Sequence, residues 1–320
     1  MTTDAPGARP LVDVVVPTNR VSPYLETALA SVAAQTYRRW SLIVVDDGSG
    51  RGDELERIVG SVDGARLIHR ENGGAAAARN TAIAAGSGDV VAFLDDDDRW
   101  PADRLERLVA ALGADPEAIG AFGDGIDVDG DGVAFDAWHT PRATSDAYLR
   151  GETPIPRITT LVVRRHAFAL AGTFDEDFGL SQDTEFTLRL LRHGRLVGCG
   201  APVVEYRRHD RNATAADWRR LHAAGSRAVR TNLEDAASRG EDAHVDALRR
   251  NARLLDRAYA SWSAGRVIGL LRAGRRRQAM LDVRDSLRLS PRGVVAGWSS
   301  TIASRLRNRA GRVRRDHAAG

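Results

Sequence analysis

The chain has 320 residues, 43% hydrophobic and 28% charged, a globular balance that suits two units or one large α/β domain with an appendage. Its net charge of +3 hides an asymmetry: the first 206 residues carry 20 arginines against 32 acids, the last 114 carry 26 against 11, and lysine is absent. A single cysteine, Cys199, excludes an internal disulfide framework and a cysteine-based zinc cluster, and no apolar run approaches the roughly 18 residues of a membrane-spanning helix. Met1 to Pro10 is polar and lacks the apolar stretch of a secretory signal, so a flexible N-terminus over residues 1–10 and a cytoplasmic protein are expected.

Short β-branched runs then alternate with helical stretches. Val12 to Val16 reads as a buried strand, and Ser22 with Pro23 opens a helix to about Gln35. Leu42 to Val45 is a second strand, residues 53–62 a helix, and Arg66 to His69 a third strand. Ala75 to Ala85 is an alanine-rich helix, Val90 to Leu94 a fourth strand, and Pro101 to Leu112 another helix. Such alternation needs crossover connections, and the strand runs hardly alternate in polarity, as expected when both faces are covered. The fold class is therefore α/β, a mostly parallel central sheet with helices on both faces. Ligands of such sheets bind beyond the carboxyl ends of the strands.

From Asp124 the pattern loosens into Gly- and Asp-rich turns with short strands, among them Thr159 to Val163 and segments near Leu196 and Val203. A helix runs from about Gln182 to His193 between them. Beyond Asp210 the chain turns helical and Arg-rich. Val245, Leu248, Leu255, Tyr259 and Trp262 form one apolar stripe, Arg275 to Leu289 is a further helix, and Trp298, Ile302 and Leu306 share a face among arginines. The expected division is a catalytic domain at 11–212 and an Arg-rich helical region at 213–320. Those tail helices either pack their stripes on the domain or, at about 293–315, offer a basic amphipathic surface to anionic lipid.

Four consecutive carboxylates, Asp95 to Asp98, follow the fourth strand. They would repel one another unless a cation relieved them, and Mg²⁺ or Mn²⁺ prefers such oxygen donors. The alternative is an acidic loop in which Asp98 caps the next helix. A second acidic strand end, Asp46-Asp47-Gly48-Ser49, and a first at Pro17-Thr18-Asn19-Arg20 would share the same rim. Asp46 and Asp47 either receive hydrogen bonds from a ribose or base, or form a plain turn with Gly48. Asn72-Gly73-Gly74 opens the alanine-rich helix with an anion-favouring N-terminus, and Arg79 on that helix can reach a phosphate or a base.

The ordered set Pro-Thr-Asn-Arg, Val-Val-Asp-Asp-Gly-Ser, Asn-Gly-Gly with Ala-Arg-Asn, and Phe-Leu-Asp-Asp-Asp-Asp-x-Trp resembles the family 2 glycosyltransferases with a GT-A fold, over residues 11 to 210. The resemblance implies an Asp-x-Asp pair at Asp95 and Asp97, which handles the ribose and a metal–diphosphate, with Asp96 where the family more often has Ser. It implies nucleotide-sugar contacts at Pro17, Asn19, Asp46, Asp47, Arg79, Asp95 and Asp96. The catalytic base falls on Asp183, although Gln182 replaces the family's usual Glu beside it. An ionised Asp at a helix N-terminus suits a proton acceptor, and equally suits an N-cap. Tyr206-Arg207-Arg208-His209 resembles the segment that closes the family's domain and offers His209 as a further metal ligand or diphosphate contact. Trp100 either shapes the acceptor pocket or packs.

The implied activity is inverting transfer of a sugar from a nucleotide-diphosphate donor, UDP above all, to an acceptor hydroxyl of a glycan, a lipid-linked or a small molecule. Mg²⁺ or Mn²⁺ sits at Asp95 and Asp97. The alternatives are a metal-dependent nucleotidyltransferase, for which the chain lacks a Lys-containing phosphate loop, and a non-catalytic nucleotide- or nucleic-acid-binding protein; no nucleic-acid partner is expected from the acidic first half. Asp127 to Gly132 begins like a calcium loop, but its twelfth position is Trp138, so a hairpin turn is expected.

Overall fold

The computed structural model describes residues 9–210, 212 and 217–297. In chain order the elements are β1 (Val12–Thr18), α1 (Leu25–Ala33), β2 (Trp40–Asp47), α2 (Gly52–Val59), β3 (Arg66–Arg70), α3 (Gly74–Ala85), β4 (Val90–Phe93) and α4 (Arg104–Ala114). There follow β5 (Gly120–Val128), β6 (Ala134–Trp138), α5 (Ser145–Leu149), β7 (Val162–Arg164), α6 (Arg165–Ala171), α7 (Gln182–Leu191) and β8 (Leu196–Arg207). The helices α8 (Trp218–Ser238), α9 (Asp242–Arg272) and α10 (Arg276–Leu289) follow, and residues 291–297 are again helical.

One sheet of order β3-β2-β1-β4-β7-β5-β6, with β8 beside β5, organises the fold. Strands β1 to β4 are mutually parallel, as is the β5–β8 pair, while β7 runs antiparallel to both β4 and β5. Alternate side chains of β1, β2 and β4 enter two different cores. Val15, Ile43, Val45, Val91 and Phe93 face α3, α6 and α7. Val14, Val16, Leu42, Val44 and Ala92 face α1, α2 and α4. Both faces of the parallel sheet are thus covered, as the apolar runs predict. Each fully buried Val or Leu contributes about 1.5–3 kcal/mol, so both faces are well specified.

Several local expectations change. The Ser22 hydroxyl accepts from the Tyr24 amide at 3.3 Å and makes a turn ahead of α1, whose first residue is Leu25. Likewise α4 starts at Arg104, because residues 101–103 form a turn closed by the Arg104 amide on the Pro101 carbonyl. The two short strands expected near Leu196 and Val203 are one twelve-residue strand, β8, which bends through register shifts against β5. Thr159 lies in a short 3₁₀ turn, Ile158–Thr160, before β7. Asp129 accepts from the Asp131 and Val133 amides and closes the β5–β6 hairpin, as the failed calcium motif predicts.

The tail helices are fastened to the domain. Val229, Ala236, Val245 and Leu248 share a core with Phe186 and Leu190 of α7. The Asn232 amide donates to the Glu185 carbonyl at 3.1 Å, and the fully buried Arg192 side chain pairs with Asp235 and Glu241, both at 2.8 Å. The predicted stripe ends early, because Trp262 is 55% exposed. Residues 298–320, with Trp298, Ile302 and Leu306, lie outside the described residues.

Candidate active site

The carboxyl ends of β1, β2 and β4 meet above the sheet, with Thr18 in register with Asp46. A cleft of about 280 Å³ opens there. Pro17, Asn19 and Arg20 line it from the β1 end, Asp47 from the β2 end, and Asp95, Asp96 and Asp97 from the β4 end. Arg79 of α3, Gln182 of α7, Tyr206 at the end of β8 and Asn212 beyond it close the cleft. Of the expected nucleotide-sugar contacts, Asp46 is not among the residues that line the cleft, and neither are the expected base Asp183 and metal ligand His209.

Each aspartate of the run has its own partner. The Arg79 guanidinium, only 4% exposed, donates to Asp95 Oδ1 at 2.6 Å. Its Nε and Nη1 are buried with no hydrogen-bond partner, and the group lies 5.5 Å from the Phe174 ring centroid. The Thr18 hydroxyl meets Asp96 Oδ2 at 2.6 Å. Burial pushes the Asp96 carboxyl up to about 7, with the Thr18 hydrogen bond opposing and the Asp97 charge assisting. His209 Nε2 lies 2.9 Å from Asp97 Oδ2 and its ring stacks on Tyr24. Burial, then the charge of Asp95, raises the Asp97 carboxyl.

Asp98 is not a helix cap. It is buried and accepts from the Arg207 amide and the Thr159 hydroxyl, each at 3.0 Å. Burial and the charges of Asp95 and Asp97 hold its carboxyl well above the ordinary value. It joins the β4 end to β8, and Arg207 completes the joint by donating to the carbonyls of Asp97 and Gly130. Trp100 lies in the core with the Arg104 guanidinium 4.0 Å over its ring, so it packs and does not shape the cleft. Thr18, Arg207 and Asn212 are the site residues that sequence reasoning did not single out. Thr18 and Arg207 stood inside motifs read from the sequence, and Asn212 stood in none.

On the β2 end the two aspartates divide. Asp46 accepts from the Ser49 amide at 2.8 Å and pairs with His69 at 2.9 Å, forming a turn. Although burial acts to raise it, the Ser49 and His69 hydrogen bonds hold its carboxyl below the ordinary value. Asp47 accepts from the Gly73 and Gly74 amides at 2.9 and 2.7 Å, with Arg70 beside it at 3.2 Å. Two of the N–H groups expected to attract an anion at the start of α3 are thus capped from inside by a carboxylate. Gly48, at φ 75°, permits the close approach, since a Cβ there would come within 2.8 Å of the Asn72 amide nitrogen.

The expected base region sits at the mouth of α7. Ser181 is held at φ 61°, the only left-handed non-glycine among the described residues, and such strain concentrates at functional sites. Gln182, which follows it, lines the cleft, and its Oε1 is buried without a partner. Asp183 is the second helical residue, partly exposed, and its Oδ1 accepts from the Thr184 amide at 2.8 Å. The residue of this segment among those lining the cleft is therefore Gln182, with Asp183 next along the chain. Asn80 anchors the approach to α7 through the Phe174 carbonyl and amide, both at 2.9 Å.

The donor chemistry at Asp95, Asp97 and His209 suits a hard divalent cation, with carboxylate oxygens foremost. The raised Asp97 carboxyl beside Asp95 marks excess negative charge that a cation would offset. Among the described residues no three Asp, Glu, His or Cys side chains converge as a ready-made metal cluster. Arg79 instead pairs with Asp95, and His209 hydrogen-bonds Asp97.

The family model of glycosyl transferase family 2 matches residues 13–169. The chain is 30% identical over 216 residues, 66% of this chain and 84% of the other, to TuaG of Bacillus subtilis, a glycosyltransferase provisionally assigned to teichuronic acid biosynthesis. It is 36% identical over 103 residues, 32% of this chain and 41% of the other, to the Escherichia coli UDP-Glc:alpha-D-GlcNAc-diphosphoundecaprenol beta-1,3-glucosyltransferase WfgD. Among solved structures, S. aureus TarS 1-349 in complex with UDP-GlcNAc shares the fold at TM-score 0.60 and 16% identity, over 91% of this chain and 92% of that one. These matches set aside the nucleotidyltransferase and the non-catalytic alternatives. The chain belongs to glycosyl transferase family 2, and it is a glycosyltransferase of GT-A fold.

Proposed function

We propose that the cleft takes a UDP-sugar and that the enzyme transfers the sugar, with inversion, to a hydroxyl of a cell-envelope glycan acceptor, free or lipid-linked. The observation that carries this reading is the convergence of Asp95, Asp96 and Asp97 with Arg79, Asn19 and Gln182 around one cleft at the strand ends. The names of TuaG and WfgD support the envelope setting, and WfgD that of a UDP-linked donor. Pro17, Asn19 and Asp47 would hold the nucleotide, with Arg79 and Asp96 beside the diphosphate. Asp46 would support the loop from behind.

Asp183, as an ionised carboxylate at a helix N-terminus, accepts the proton of the acceptor hydroxyl. The hydroxyl oxygen bonds to the anomeric carbon as the bond from that carbon to the diphosphate oxygen breaks, and the electron pair leaves with the diphosphate. Asp95 and Asp97, with His209, would hold Mg²⁺ or Mn²⁺, which supplies positive charge for the diphosphate leaving group. Action in the cytoplasm, at the inner face of the membrane, completes the reading; no helix among the described residues is long and apolar enough to cross a membrane. A screen of UDP-sugars for acceptor-dependent release of UDP tests it. Release with one donor and an inverted linkage by NMR is expected, and a retained linkage would overturn the mechanism.

A further inference from the structure

Away from the cleft, a run of three arginines lies at the turn between α9 and α10. Gly274, at φ 72°, ends α9, and the exposed Arg275, Arg276 and Arg277 line a shallow hollow of about 470 Å³ with Gln278 and Leu281. Among the described residues, the guanidinium groups of Arg272, Arg275, Arg276, Arg277, Arg288 and Arg292 take part in no ion pair. Acids on α10 do not answer them. Asp282 is fully buried between Arg219 and Arg266, and Asp285 is taken by Arg219 and Arg284.

The same helix exposes large apolar side chains. Met280 is 67% and Leu287 44% exposed, two turns apart on the side away from the buried Asp282 and Ser286. Ser286 faces inward to Ser263 of α9 at 2.5 Å. Arg276, Arg277 and Arg284 stand three or four residues from Met280 and so share its side of the helix.

We infer that the α9–α10 turn and the outer side of α10 dock on an anionic lipid surface. Phosphate headgroups meet Arg275 to Arg277, while Met280 and Leu287 enter the headgroup layer. Charge complementarity selects this partner. A second copy related by two-fold symmetry would set arginine against arginine, and a nucleic-acid backbone would leave Met280 and Leu287 without a role. The surface lies in the helical region that the sequence marks as basic, but ahead of the segment 293–315 singled out there. It goes beyond the proposed reaction and does not depend on the donor.

Sedimentation of the full chain with phosphatidylcholine vesicles, and with vesicles holding about one third phosphatidylglycerol, tests the inference. Binding to the anionic vesicles alone is expected, weakening with salt and indifferent to millimolar inorganic phosphate. The triple variant Arg275→Glu, Arg276→Glu, Arg277→Glu should bind at least about tenfold more weakly, and Met280→Glu with Leu287→Glu should also lose binding. Both variants keep UDP binding if they are folded, which separates this test from that of the reaction. Equal binding to neutral vesicles, competition by free phosphate, or unchanged binding by the triple variant would overturn the inference. So would a dimer that Met280→Glu dissociates.

Discussion

Asp95 to Asp98 and Arg275 to Arg277 are both runs of a single charge, yet their side chains keep different company. Every aspartate of the run is met from another element: Arg79 of α3, Thr18 of β1, His209 beyond β8, and the Arg207 amide of β8. The arginines stand exposed at a helix turn, with no ion pair among the described residues. Repulsion in a buried run is costly, so the fold must supply partners, whereas water screens an exposed run at little expense. A run that the fold holds together against its own charge marks a ligand site from within. A run left exposed beside apolar side chains marks a surface for a partner from without.

The largest effect that separates the two regions is catalytic. Asp183→Asn should lower transfer by about 10²–10⁴-fold while UDP affinity stays within about threefold of the wild type, because Gln182 and the rim carboxylates remain. Steady-state rates alongside calorimetry check this, and full activity in the variant would remove Asp183 from the mechanism. The docking variants of α10 should show the reverse, with vesicle binding lost and transfer to a soluble acceptor kept.

Next comes the joint between the regions. Arg192→Met removes the ion pairs to Asp235 and Glu241, which keep Arg239 and His244 as partners, and should destabilise the chain by about 1–3 kcal/mol in urea titrations. The same pairs set an acid limit. Although burial acts to raise them, hydrogen bonds from Arg192 and Arg239 to Asp235, and from His244 and Arg192 to Glu241, hold both carboxyls below their ordinary values. Groups lowered in the folded state lend stability at pH above the unfolded values of about 4, and that stability is lost as pH falls through the folded ones. The wild type should therefore lose stability below about pH 4 more steeply than Arg192→Met. Parallel acid profiles would show that the joint is not electrostatic.

The smallest effect is local. Ser181→Gly relieves a left-handed backbone and should raise stability by up to about 1 kcal/mol, read as a higher melting temperature. A lower one would mean that the Ser181 side chain supports the mouth of α7 in a way its backbone strain does not reveal.

The first half of the fold was legible because β1, β2 and β4 are unbroken apolar runs and their helices carry clear periodicity. The β5–β8 pair was not. Its glycines read as turns, yet they sit inside strands because neighbours fill the space of a side chain. A Cβ on Gly125 would lie 2.1 Å from the Trp138 ring, and one on Gly123 2.5 Å from Val203. The acidic rim was legible as a motif, while the partners that hold it were not. Thr159 and Arg207 reach Asp98 from 61 and 109 residues away, and no local spacing encodes such contacts. Asp46 and Asp47 look alike in the sequence, but strand alternation gives one to the turn and the other to the cleft.

The most direct test of the account is calorimetric titration of UDP into the full chain, in Mn²⁺ and in EDTA, for the wild type and for Asp97→Asn. The account predicts metal-dependent binding in the wild type and a loss of at least about tenfold when Asp97 is neutralised. Equal UDP affinity in all four titrations would contradict it, because the rim carboxylates would then have no part in holding the nucleotide.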